Sequence, residues 1–184
     1  MSSGQQALVF LVQSLFQLYL VIVLLRFLLQ LARADFFNPV SQAIVKATAP
    51  LLNPLRRIIP GIGGVDIASL VLAVLLYLVM ILLVAYLIIG QFINPLSVLL
   101  GSLVGVLNLI ISIYFFAIII SAISSWIPPL HGHPITRLVW QLVEPLLGPF
   151  RKLLPDLGGI DLSPILALMA LKVVQILIQP LLVL

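Results

Sequence analysis

A chain of 184 residues in which 63% of side chains are hydrophobic and 8% charged cannot cover a water-facing surface, because ordinary soluble domains carry about a quarter charged residues. It has no cysteine, which excludes disulfides, thiolate metal sites and cysteine nucleophiles. The net charge of +4 comes from basic residues flanking long apolar runs, where membrane orientation requires them, so it does not point to nucleic acid.

Four runs are long enough to cross a bilayer, which takes about 20 mainly apolar residues. The first, residues 7–31, carries one charge, Arg26. The second and third, residues 67–89 and 103–126, carry none, and the fourth, residues 162–184, carries only Lys172. Leu/Ile/Val runs without two-residue alternation predict helices rather than barrel strands. Residues 1–6 contain no basic side chain, and the first run is long enough to stay in the membrane, so a retained span is expected there rather than a cleaved signal peptide.

Between the spans lie two long loops, 32–66 and 127–161, and a short link, 90–102. The first loop holds Arg33, Lys46, Arg56 and Arg57 with Asp35 and Asp66; the second holds Arg137, Arg151 and Lys152 with Glu144, Asp156 and Asp161. The residues at the other ends of the spans carry no charged side chain. Basic residues in short loops stay on the cytoplasmic side. Both long loops are therefore expected in the cytoplasm and both termini outside it.

A shift of 95 residues lays residues 49–69 on 144–164 without a gap. Nine of the 21 positions are identical, among them Pro50/Pro145, Pro54/Pro149, Arg56/Arg151, Pro60/Pro155, Gly63/Gly158, Gly64/Gly159 and Asp66/Asp161. The predicted architecture is an all-α membrane protein of four transmembrane helices, arranged as two parallel helical-hairpin repeats, residues 1–89 and 103–184. In the segments RADFFNPVSQAIVKATAPLLNPLRRIIP and EPLLGPFRKLLPDLGGIDLSP the chain resembles the YggT family of small bacterial membrane proteins, which has plastid and cyanobacterial relatives. The resemblance covers nearly the whole chain. It implies a part in osmotic-stress tolerance or in envelope organisation and membrane-complex assembly, and brings no catalytic residues with it.

Each long loop reads as a short amphipathic helix, a proline-broken basic turn and a capped return to the membrane. Ile135, Leu138, Val139, Leu142 and Val143 share one helical face and should lie against the bilayer; Val40, Ala43, Ile44 and Ala47 form a weaker counterpart. Pro39 and Pro134 suit a first helical turn, with Asn38 as N-cap. The pairs Arg56-Arg57 and Arg151-Lys152 are positive-inside anchors on one reading, and contacts for anionic lipid headgroups or a protein partner on the other. Asp66 and Asp161, each after a Gly-Gly pair, are expected to cap the helices that follow. His131 and His133 form the only histidine cluster. Its counterpart in the first copy is Phe36 and Asn38, and nothing completes a metal or haem site, so loop histidines without a cofactor are expected.

Within the spans, Gln13 and Gln17 correspond to Asn108 and Ser112, each pair on one helical face. Lys172, Gln175 and Gln179 share a face of the fourth span, and Tyr77, Met80 and Val84 stand in their places in the first copy. Such groups avoid lipid and should point toward protein. Arg26 lies about 9 Å from the loop end of its helix and should reach the interface as an anchor. With five acids and two histidines, all in loops, the chain has little material for acid–base catalysis. The leading expectation is a non-enzymatic scaffold or assembly factor that meets a membrane-protein partner or another copy of itself. The alternative is a small channel or transporter subunit with the polar faces along its path.

Overall fold

In lipid the backbone has no solvent to bond, so each apolar run satisfies its N–H and C=O groups within one helix. A computed structural model describes residues 2–61, 63–91, 94–127, 132–153 and 161–182. Its helices are α1 (Ser3–Leu31), α2 (Pro39–Ile58), α3 (Ile67–Ile89), α4 (Pro95–Ser125), α5 (Pro134–Leu153) and α6 (Ser163–Ile178), followed by a 3₁₀ turn, Gln179–Leu182. Of these α1, α3, α4 and α6, the last continued to Leu181, are long and apolar enough to cross a membrane. The described residues contain no strand.

Local chemistry sets the helix ends. Ser2 and Gln5 form a capping box on α1, and Asn94 caps α4 by accepting the Leu96 N–H at 2.9 Å, with Pro95 in the first turn. Gly90 closes α3 in the left-handed region at φ +71°. At the end of α1 that role falls to Arg33, at φ +53°. The Ala34 N–H reaches back to the Leu29 carbonyl and the Arg33 N–H to Gln30, a Schellman ending with arginine where glycine is usual.

α1 packs on α3 and α4 packs on α6, and the two hairpins join through α3 and α4. The Gly101–Gly105 pair permits that approach: a Cβ on Gly105 would run into the ring of Tyr77, and one on Gly101 would touch Ile81. The core fills the loop end of the bundle. Leu20, Val23, Leu24 and Phe27 of α1 meet Ala68 and Leu72 of α3, Ala117 and Ile118 of α4, and Leu52 and Leu147 of the loop helices.

Three expectations change here. The basic turns are helical, because α2 runs through Pro50 and Pro54 and α5 through Pro145 and Pro149. A proline deprives the carbonyl four residues earlier of its partner. All four prolines lie on the exposed side of their helices, where the freed carbonyls can take water. The apolar face of α5 is covered by the bundle rather than by lipid, with Leu138, Leu142, Val143 and Leu147 buried in the core and Ile135 exposed. On α2, Leu52 is buried, Val40 and Ile44 are half-buried, and Ala43 and Ala47 are exposed. The third span begins at Pro95 instead of residue 103, so most of the expected link is helix.

Candidate functional site

The two loop helices meet at their N-terminal ends. Asn38 accepts the Val40 N–H at 2.9 Å, and its amide donates to the Pro134 carbonyl at 2.8 Å. The Asp35 N–H donates to the Gln141 side chain at 3.0 Å. His133 repeats the role of Asn38, its Nδ1 accepting the Ile135 N–H at 3.3 Å. His133 is therefore a capping residue; His131 lies outside the described residues.

From the far end of each loop helix an arginine reaches the aspartate ten residues on. Arg56 pairs with Asp66 through Nη2 and Nε and also touches the Gln30 side chain. Arg151 pairs with Asp161 at 3.0 Å and takes both oxygens of Glu144 at 2.6 and 2.8 Å. Burial pushes the Asp66 carboxyl up, but the Arg56 bonds and charge and the Ser69 hydroxyl outweigh it and leave it below the usual carboxylate range. Burial acts on Asp161 the same way, and bonds from Ser163 and Arg151 reverse it. The Arg151 guanidinium is held above its ordinary value, chiefly by its bonds to Glu144.

Capping by these aspartates divides between the copies. Asp161 accepts the Ser163 N–H at 2.9 Å at the start of α6. Asp66 occupies the N-cap of α3 yet makes no side-chain cap bond, because Arg56 and Ser69 occupy its oxygens. Gly63 and Gly64 take φ of +61° and +82° and make the turn into α3; Gly158 and Gly159 lie outside the described residues. Of the four paired basic residues, Arg56 and Arg151 are committed to these internal bonds, while Arg57 and Lys152 are exposed beside them.

Arg26 is not the interface anchor its position suggests. It is buried, and Nη1 donates to the Thr48 hydroxyl at 2.5 Å and to the Val45 carbonyl at 3.1 Å. The arginine thus fastens α2 onto α1. Composition could not disclose this, because the acceptors are a threonine and a carbonyl that only the docked helix supplies.

The membrane-embedded polar groups separate by repeat. Between α4 and α6, Gln175 donates to Asn108 at 3.0 Å and to Ser112 at 3.4 Å, and Lys172 donates to Gln175 at 3.1 Å. Gln13 is half-buried and Gln17 exposed on α1, and Gln179 is exposed on the closing turn; none of them joins that cluster. Lys172 is exposed, and α6 is the least covered span, with 6% of its most apolar window buried against 28% for α3 and α4.

The sequence model of the CCB3/YggT family matches residues 5–87 and 100–182, once per repeat. An uncharacterized protein of Pseudomonas aeruginosa is 56% identical over 175 residues, 94% of this chain and 88% of that protein. The uncharacterized protein YggT of Escherichia coli is 37% identical over 169 residues, 91% of this chain and 87% of that protein. The uncharacterized protein ycf19 of Guillardia theta is 32% identical over 84 residues, 45% of this chain but 87% of its own length, so that relative is about one repeat long. No solved structure matches the chain.

Proposed function

The chain belongs to the CCB3/YggT family, and from that membership and the geometry above we propose that it is a non-enzymatic scaffold or assembly factor of the bacterial inner membrane. One observation carries the reading: Lys172, near mid-span, stands on the exposed face of the least covered helix and is tethered only to Gln175 among the described residues. A charge at that depth costs at least about 2.5 kcal/mol on insertion scales. The cost falls if another membrane protein, or a second copy of this chain, covers the α6 face and supplies an acceptor. On the cytoplasmic side, Arg57, Lys152, Lys46 and Arg137 are exposed on α2 and α5 and suit anionic headgroups or an acidic partner surface. Ion-pair commitment of Arg56 and Arg151 leaves this face to the other four basic residues.

A second reading rests on the hydrogen-bonded run Lys172–Gln175–Asn108–Ser112, which would line a polar path in a channel or transporter subunit if copies met along α6. Either role accords with the osmotic-stress tolerance that the family resemblance suggests. A photo-crosslinking residue at position 176, one turn from Lys172 on the same exposed face of α6, tested in intact membranes, examines the first reading. One crosslinked membrane-protein species of fixed stoichiometry is expected. Crosslinking to lipid alone, together with selective ion flux in liposomes of purified protein, would favour the channel.

A further inference from the structure

In the second repeat a cavity of about 900 Å³ opens between the loop ends of α4, α5 and α6. Ser121, Ala122, Ser125 and Trp126 of α4 line one wall, Trp140 and Arg151 of α5 another, and Asp161 and Ile165 the floor. Its volume is within the range of small-ligand sites, about 300–1,000 Å³. The first repeat shows what this space ordinarily contains. Under the 95-residue shift Ser121, Ala122 and Ser125 stand where the first copy has Arg26, Phe27 and Gln30. There Arg26 and Phe27 are buried, with Arg26 bonded to Thr48 and to the Val45 carbonyl, and Gln30 touches Arg56. These positions hold a cation, an aromatic ring and an amide in one copy and three small side chains in the other, where Trp140 replaces Val45 in the lining.

The charges change with the volume. The first-copy site holds two cations, Arg26 and Arg56, against one carboxylate, Asp66. The second-copy site holds one cation, Arg151, against two carboxylates, Glu144 and Asp161. The cavity therefore carries one net negative charge where its twin carries one net positive charge, and Trp140 and Val143 stand in it for Val45 and Thr48, the residues that accept from Arg26. It lies at the level where spans enter the interface, beside the exposed Trp126 and Ile165.

We propose that this cavity seats one aminophospholipid, with its primary ammonium on Glu144 and Asp161 beside the bonds these carboxylates make to Arg151, and its acyl chains leaving past Ile165. A primary ammonium offers three N–H donors to the carboxylates; a quaternary choline offers none. The lipid thus brings a cation and apolar chains to a site of net negative charge, and it adds this chain's lipid preference to the scaffold role.

The test uses the full chain purified in a neutral detergent, with thermal unfolding followed during titration of phosphatidylethanolamine, phosphatidylcholine or phosphatidylglycerol of identical acyl chains. A saturable rise in Tm is expected with phosphatidylethanolamine, half-complete at a concentration at least about tenfold below that for phosphatidylcholine, a free-energy difference of about 1.4 kcal/mol. Glu144→Gln should abolish that preference, and so should Ser121→Arg with Ala122→Phe, which imports the first copy's filling. Equal response to phosphatidylcholine would assign the recognition to the Trp126 and Trp140 rings and overturn the ammonium site. A stronger response to phosphatidylglycerol would move lipid binding to the exposed basic residues and overturn it as well. An undiminished preference in Glu144→Gln refutes the proposal even if the double variant does not fold.

Discussion

The Arg56 guanidinium binds both oxygens of the Asp66 carboxylate, and the two partners are unequally covered: Asp66 is 4% exposed and Arg56 35%. Removing either partner breaks the same pair with different consequences. Arg56→Ala strands a buried carboxylate, whose loss of compensation costs roughly 3 kcal/mol or more when fully enclosed. Asp66→Asn leaves a guanidinium that can turn toward water, so its cost should be smaller, about 1 kcal/mol. The carboxyl is depressed in the folded state, so its contribution is complete above the ordinary aspartate value of about 3.9 and is lost as pH falls through the depressed one. Acid unfolding of the solubilised protein should show that component in the wild type and lack it in Asp66→Asn.

Thr48→Val tests the fastening of α2 by Arg26. The substitution keeps the side-chain shape and removes the hydroxyl that accepts from Nη1 at 2.5 Å. A buried charged donor left one acceptor short costs about 1–3 kcal/mol. Proteolysis of α2 in membranes should accelerate while insertion of α1 is unchanged. Equal protection in variant and wild type would show that apolar contacts alone hold α2.

Gly105→Ala should disturb the joint between the two hairpins, because the added methyl meets the Tyr77 ring. Overpacking of this kind costs about 1–3 kcal/mol. Tyr77→Ala leaves a cavity by itself, yet the double variant should be more stable than the sum of the single effects predicts, since the clash disappears with the ring. Strict additivity of the three unfolding energies would mean that Tyr77 swings aside without cost.

The four spans and the repeat were legible because both are written in long-range composition and in matched motifs such as Arg56/Asp66 and Arg151/Asp161. At Pro50, Pro54, Pro145 and Pro149 local propensity argues for a break, and burial of Leu52 and Leu147 in the core overrides it. Asp66 stands at the expected N-cap of α3, but its side chain is turned to other partners. Capping is a local bond to the next helical turn, whereas the observed partner Arg56 arrives from another element. The Gly101–Gly105 spacing was a readable signal of close helix approach that composition alone passes over. The exchange of Arg26 and Phe27 for Ser121 and Ala122 shows only when the two copies are aligned residue by residue, since serine and alanine near a span end attract no notice on their own.

Orientation rests on the asymmetry of basic residues, and the absence of native cysteine makes it simple to test. Arg57→Cys and Ser3→Cys both place a thiol at an exposed position. With a membrane-impermeant maleimide on intact spheroplasts, position 3 should label and position 57 should label only after lysis. The reverse pattern would invert the chain in the membrane.

Lys172 gives the sharpest test of what lies against α6. Nine residues into that helix, it sits about 14 Å from the loop end of an approximately 30 Å core. Every acid of the chain lies outside the spans; among the described residues the ammonium finds only the Gln175 amide oxygen at 3.1 Å, and Gln175 is itself donating to Asn108 and Ser112. Lys172→Leu removes the insertion cost, about 2.5 kcal/mol or more, and should make the isolated chain at least as stable in detergent. Its loss should appear elsewhere, in a native complex that shrinks by blue-native electrophoresis and in weaker protection of cells during osmotic challenge. Lys172→Arg keeps the charge and should preserve both. Lys172→Gln keeps a donor without charge, so a complex that survives it would need only a polar contact, while one that fails requires an acidic partner. A Leu variant with the wild-type complex and wild-type protection would mean that lysine is merely tolerated at this depth, and the scaffold reading would lose the observation that carries it.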